Sequence, residues 1–179
     1  MFMSGRGVII LGEEDIYLGR KVKLKKLHLN IREKATFHEI VVFGESVAIL
    51  PFINEDEVII IKQFRGPIGG WIYEIPAGRV EPGEELEDAC IRELEEEIGY
   101  RPKKLEKLAS CYLTPGYSDE KIHIFVAYDL EYVGQRLQET EAIETTRIKY
   151  KDLMKKVMKN EIEDAKTILA VLLYSAKKR

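Results

Sequence analysis

The sequence predicts an α+β chain: an α/β sandwich with a mixed central sheet between helices, extended at the N-terminus by a small antiparallel β-sheet. Three observations lead there. Short β-branched runs recur from the N-terminus to about residue 130. An acidic helical pattern interrupts them before Gly99, and two further helical patterns close the chain at 150–158 and 164–177. At 179 residues and 45% hydrophobic content, the chain is long enough for one sizeable core.

The first 44 residues read as three strands, 8–11, 21–29 and 35–43, separated by charged turns at 12–15 and 30–34. In the second, Val22, Leu24, Leu27 and Leu29 alternate with lysines, and the extra residue between Leu24 and Leu27 predicts a bulge. So short a segment with one mostly polar face buries too little to fold alone. Residues 1–44 are therefore expected to dock on the domain formed by 45–179, or on a second subunit.

In the larger domain, the runs 47–52 and 58–63 flank Asn54-Glu55-Asp56, a hairpin signal. A loop at 67–70 precedes a strand at 71–75 that ends at Pro76. After the acidic helix come strands at 105–113 and 121–130 around the loop 114–120, then a polar linker at 134–144 and a short strand at Arg147-Ile148. The last helix carries Ile168, Leu169, Val171, Leu172 and Leu173 and is expected in the core.

The acidic segment, 78–100, holds nine Asp or Glu against two Arg. Such a helix ordinarily presents a solvated face. Here phase argues otherwise. At about 100° per residue, Leu86, Ala89, Cys90, Ile91, Leu94 and Ile98 occupy one arc, and Glu93 and Glu97 fall inside it. Glu93, Glu96 and Glu97 also stand at i, i+3 and i+4, where like charges cost roughly 0.2–0.5 kcal/mol per pair even when exposed. Burial raises that cost unless a cation sits among them. Oxygen ligands suit Mg²⁺, Mn²⁺ or Ca²⁺ rather than zinc, so Glu93 and Glu97 are first-choice ligands and Glu96 is placed to share a second ion.

Gly78, Glu84, Arg92-Glu93-Leu94, Glu96-Glu97 and Gly99, at these spacings over 23 residues, resemble the Nudix box. Tyr100 stands at its last position, where an aliphatic residue is usual. The stretch VIIIKQFRGPIGGWIYEIPAGRVEPGE, the loop SCYLTPGYSDEKIHIF with Pro115 sixteen residues after Gly99, and EDAKTILAVLLY resemble the ADP-ribose pyrophosphatases of that family. The resemblance implies the same sandwich fold and hydrolysis of a diphosphate with Mg²⁺, Mn²⁺ being a possible substitute. It implies the Ala77 carbonyl as a further ligand and Arg92 as a residue that holds a box carboxylate, with Glu84 structural. Arg65 would contact the diphosphate. Arg79, Thr114, Pro115, Gly116 and Glu120 would line the pocket for the terminal ribose. Tyr17 would stack on adenine, often across a homodimer, and His38 stands where relatives commonly carry Arg. The general base would come from the loop LQETEAIE, where spacing to the next strand favours Glu141, as base or extra metal ligand, then Glu139, with Glu144 a further candidate.

A net charge of −3 leaves no general basic surface, which argues against nucleic acid. No apolar run approaches the roughly 18 residues of a membrane span, and the N-terminal residues lack a signal-peptide pattern. Cys90 and Cys111 form no CxxC pair and are expected as free thiols in a cytoplasmic protein. The three His residues show no ligand spacing. The expected reaction is metal-dependent hydrolysis of ADP-ribose to AMP and ribose 5-phosphate. The alternatives are another nucleoside diphosphate derivative, such as a nucleotide sugar or a dinucleoside polyphosphate, or a sensor that binds ADP-ribose uncleaved. Tyr117 resembles a residue of diadenosine polyphosphate hydrolases, whereas intact box acids disfavour the sensor.

Overall fold

The computed structural model describes residues 2–4, 7–137 and 142–178, which form two compact units. One comprises Met1–Glu45 with Cys111–Lys121, the other Ser46–Ser110 with Ile122–Arg179. Among the described residues no helix is long and apolar enough to cross a membrane.

The first unit is the expected antiparallel sheet, with strands β1 (Phe2–Ser4), β2 (Val8–Leu18), β3 (Lys23–Ile31) and β4 (Lys34–Val42) in that order. Strand β2 runs straight through the acids expected as a turn. Glu14 faces Lys26 and Asp15 faces Lys25 in register, with ion pairs of 3.2 and 3.8 Å, and Glu13 also bonds Lys25. Opposite charges across a strand pair hold a polar strand in its sheet. The bulge also moves. Register breaks fall in β2, at Ile10/Gly12 and Asp15/Tyr17, while β3 pairs with β4 without interruption from Lys23 to Ile31. Arg32 and Glu33, with φ of 49° and 67°, make the tight β3–β4 turn. The loop at 114–120 joins this sheet at β4. Val41 N donates to Tyr117 O at 2.7 Å, and Asp119 Oδ1 accepts from Phe43 N and Gly44 N at 2.6 and 3.1 Å.

The second unit contains β6 (Glu57–Arg65), β7 (Gly70–Glu74), β8 (Ala77–Arg79), α1 (Leu86–Glu97), β11 (Ile143–Lys149), α2 (Tyr150–Met158) and α3 (Ala165–Lys177), with all but the terminal one or two residues of β5 (Glu45–Pro51), β9 (Tyr100–Tyr112) and β10 (Lys121–Tyr132). Its strands form two sheets, β8-β5-β10-β9 and β11-β6-β7. The expected hairpin at 47–63 is thus a corner between sheets. Asn54 Oδ1 accepts from Asp56 N and Glu57 N, both at 2.9 Å, and Phe52 bridges Val58 before the strands part.

Both β5 and β6 have continuous buried runs, Val47–Leu50 and Val58–Ile61, the pattern of strands covered on both faces. Their Val47, Ile49, Ile59 and Ile61 meet Phe125 and Ala127 of β10 and the apolar arc Ala89, Cys90, Leu94 and Ile98 of the helical segment. Helix α1 therefore packs on side chains from both sheets, which fixes the rotation of its acids. Helix α2 has the expected bounds and α3 starts one residue late, capped by Asp164, whose side chain accepts from Thr167 N. The face α3 buries is Thr167, Ala170, Val171 and Tyr174, while Leu172 of the expected core set is exposed.

Candidate active site

Helix α1 carries Glu87 and Asp88 in its first turn, where acids are favoured, but no basic residue in its last turn. Glu95, Glu96 and Glu97 therefore crowd the end where the helix dipole is negative. Glu93 and Glu97 are 8% and 4% exposed, the inward placement that their phase requires. Their geometry depends on β8. Glu97 Oε2 accepts from Ala77 N at 3.1 Å, and a Cβ built on Gly78 would overlap the Glu93 carboxylate. Two carboxylates one helical turn apart thus converge on the Ala77–Gly78 backbone, and a side chain at Gly78 would displace one of them from this position.

Arg92 organises the outer side of this cluster. Its Nε and Nη2 donate to Glu84 at 2.8 and 3.0 Å, Nη2 donates to Arg79 O at 2.8 Å, and Nη1 donates to Glu93 Oε1 at 2.6 Å. Glu96 lies at 3.9 Å from Nη1. The bonds from Arg92 hold the Glu84 carboxyl below its ordinary range, and Glu84 in turn leads the causes that push the guanidinium up. Glu95, also buried, is claimed by Arg101 and Arg136. Arg136 N donates to Glu96 O at 3.1 Å and Gln135 Nε2 to Glu97 O at 2.5 Å, which satisfies carbonyls at the helix end.

Glu93 and Glu97 fit a hard divalent cation in donor type. Among the described residues, no three His, Cys, Asp or Glu side chains stand together as a ligand cluster. Cys90 is fully buried in the core, where burial pushes its thiol pKa up, and both cysteines are free. His123 bonds Ser110 Oγ at 2.8 Å, and His28 lies 3.6 Å from Glu14.

Arg65, at the end of β6, is no loose strand-end cation. Its Nε and Nη2 donate to the two oxygens of Glu74 at 2.6 and 2.7 Å. Lys166 bonds the same carboxylate, and Glu97 is among the charges that Arg65 senses. Sequence reasoning missed Glu74. The signal was strand alternation, which places it on the inward side with Ile72, between outward Trp71, Tyr73 and the turn. It missed Gln63 as well, on the same β6 face as Ile59, Ile61 and Arg65. Gln63 is buried, and its Oε1 is the one buried side-chain polar atom among the described residues with no hydrogen-bond partner.

Tyr17, His38, Thr114, Pro115, Gly116 and Glu120 lie in the first unit. Tyr17 is exposed on β2, its ring lying where a Cβ on Gly19 would be. His38 is exposed on β4, opposite Leu27. Thr114 O accepts from Tyr117 N and Ser118 N at 3.1 and 2.9 Å, which rounds the loop over Pro115 and Gly116, and Glu120 N donates to Ser118 Oγ at 3.2 Å. Arg79 is exposed on β8, opposite Ser46 in the second unit. Glu139 and Glu141 lie outside the described residues. Glu144 is exposed on β11, opposite Lys62.

The model of the NUDIX domain matches residues 42–170. The chain is 39% identical over 164 residues to a protein of Bacillus subtilis (strain 168) named ADP-ribose pyrophosphatase, covering 90% of this chain and 89% of the relative. It is 35% identical over 161 residues to the methanol dehydrogenase activator of Bacillus methanolicus, covering 88% and 87%. A solved structure described as an ADP compounds hydrolase superposes with a TM-score of 0.84 at 23% identity, over 98% of this chain and 96% of the other, a likeness of fold.

Proposed function

The chain belongs to the NUDIX domain family, and we propose that it hydrolyses the diphosphate of ADP-ribose to AMP and ribose 5-phosphate, with Mg²⁺ as cation and Mn²⁺ as a substitute. The observation that carries the chemistry is the convergence of Glu93 and Glu97 on Ala77–Gly78. The substrate rests on the name of the Bacillus subtilis relative and on the Pro115 loop.

In this reading Glu93, Glu97 and the Ala77 carbonyl would hold the cation, Glu96 would share a second ion, and Arg92 keeps Glu93 in place. When bound, the cation supplies neutralisation of the diphosphate charge that otherwise repels a nucleophile. Arg65 meets a diphosphate oxygen. Arg79, Thr114, Pro115, Gly116 and Glu120 receive the terminal ribose, while Tyr17 and His38 take the adenine. A water oxygen bonds phosphorus as the bridging P–O bond breaks, and its proton passes to Glu141, with Glu139 next in line. The protein acts as a cytoplasmic homodimer, its 1–44 β segment serving dimerisation and substrate binding and 45–179 forming the hydrolase domain.

The test is AMP release by the purified protein with Mg²⁺ from a panel of ADP-ribose, nucleotide sugars and dinucleoside polyphosphates. ADP-ribose should be turned over with the highest kcat/KM, and a chelator should abolish turnover. Equal or better turnover of a nucleotide sugar or a dinucleoside polyphosphate overturns the substrate assignment.

A further inference from the structure

Four charged side chains of the second unit form a continuous network around β7. Glu74 is 1% exposed and accepts both bonds of the Arg65 fork. Lys166, whose side chain is 11% exposed, bonds the same carboxylate and also Asp164 Oδ1 at 2.8 Å. Asp164 caps α3 through Thr167 N at 2.9 Å, and Thr167 Oγ1 accepts from Ile75 N at 2.9 Å. The Arg65 guanidinium is thus tied, through Glu74 and Lys166, to the first turn of α3 and to the backbone next to Glu74.

The network is asymmetric. Glu74, Lys166 and Asp164 are shut away from solvent, while the Arg65 side chain is 39% exposed. Of the five N–H donors of a guanidinium, the fork uses two, one on Nε and one on Nη2. Pure structural bracing does not need this arrangement, because a buried ion network replaced by apolar residues of similar volume is often as stable. The second share of that carboxylate matters as well. One Glu74 oxygen accepts from Arg65 Nε and the other from both Arg65 Nη2 and Lys166, so the carboxylate is held from two sides and its plane sets that of the guanidinium.

We propose that Glu74 and Lys166 are positioning residues for the hydrolysis: together they fix the plane of the Arg65 guanidinium and aim its outward N–H groups at a diphosphate oxygen. The inference rests on the reading above, in which Arg65 meets the diphosphate. It predicts that Glu74 and Lys166 act on turnover only through Arg65.

The experiment measures kcat, KM and thermal midpoint with ADP-ribose and Mg²⁺ for Arg65→Ala, Glu74→Gln and Lys166→Met, and for each of the latter two combined with Arg65→Ala. Glu74→Gln and Lys166→Met should each lower kcat/KM by between about 10- and 100-fold, the scale for a misplaced binding group. Lys166→Arg should restore most of the loss. In the Arg65→Ala background neither should lower kcat/KM further, although each still lowers the thermal midpoint. A purely structural role would move the midpoint in both backgrounds and leave the kinetic losses independent. If the loss from Glu74→Gln, or from Lys166→Met where Glu74→Gln does not fold, persists undiminished without Arg65, the positioning role is overturned. If folded Glu74→Gln and Lys166→Met both keep wild-type kcat/KM, it is overturned too. Wild-type protein that releases no AMP from ADP-ribose overturns the functional reading and this inference with it.

Discussion

Glu97→Gln should make the cation-free protein more stable and the Mg²⁺-loaded protein less stable. Glu97 is 4% exposed at the negative end of α1, and its bond with the structural backbone, from Ala77 N at 3.1 Å, needs only an acceptor oxygen, which Gln retains. Removing the charge relieves an unfavourable helix-dipole contact of about 0.3–1 kcal/mol. It also removes the like-charge pair with Glu93 at i, i+4, roughly 0.2–0.5 kcal/mol. The attraction between Glu97 and Arg65, lost with the charge, takes back part of this, so the cation-free variant should gain at most about 1.5 kcal/mol. For a domain of this size that is a rise of at most roughly 6 °C in Tm, at about 2–4 °C per kcal/mol. With Mg²⁺ at a hundredfold excess over its Kd, wild-type protein gains about 2.7 kcal/mol, or roughly 5–11 °C by the same conversion, and the variant gains little. Calorimetric melts of both proteins with EDTA and with Mg²⁺ should then cross in rank order, while AMP release by the variant falls at least about 100-fold, the scale of losing one group that stabilises developing charge. A variant that melts lower in EDTA, yet keeps the wild-type Mg²⁺ shift, would refute both the repulsion and the placement of the cation.

Gly78→Ala places a Cβ on the Glu93 carboxylate; the chain should fold, lose its Mg²⁺-induced Tm shift and lose turnover by roughly 100-fold, measured by the same melts and AMP assay. Gln63→Met removes a buried acceptor without a partner and should stabilise the protein by about 1–3 kcal/mol in urea unfolding; a loss of stability would mean that Oε1 has a donor in solution. Acid sensitivity follows from Glu74 and Glu84. Burial pushes Glu74 up, but the bonds from Arg65 and the charge of Lys166 outweigh it, so its folded pKa lies below the ordinary 4.5, as does that of Glu84 beside Arg92. Their contribution is complete above the unfolded value and is lost as pH falls through the lower folded values. Tm should drop on acidification below about pH 4.5, and Glu74→Gln should flatten that limb in a pH series of melts.

The helices were legible in the sequence because their periodicity is local. Helix α2 has the bounds its pattern predicts, and the phase of α1 placed Glu93 and Glu97 inward without any knowledge of the sheets. What sequence reasoning misplaced depends on distant partners. The acids at 13–15 stay in a strand because lysines at 25 and 26 lie opposite them. The turn at Asn54 has the same local chemistry whether its strands pair or separate, and here they part into different sheets. Glu74 is buried by partners nine and 92 residues away along the chain, and Glu95 by Arg136, 41 residues away. Strands β1 and β8, three residues each, are too short to show a period.

The acids of the second unit separate by the geometry of their partners, and that separation locates the chemistry more narrowly than their number does. Glu74 and Glu84 each take two bonds from one arginine, and Glu95 takes one from each of two. These three carboxylates are committed to guanidinium groups and act as fixed counter-charges that aim Arg65, Arg92, Arg101 and Arg136. Glu93 and Glu97 are seated instead on a strand of three residues whose glycine admits one of them and whose amide bonds the other. Arg92 reaches Glu93 through one nitrogen while sharing itself with Glu84 and a carbonyl, and the Arg65 charge acts on Glu97. Two buried carboxylates thus face the same backbone step, and in the proposed reaction a divalent cation there would offset their mutual repulsion.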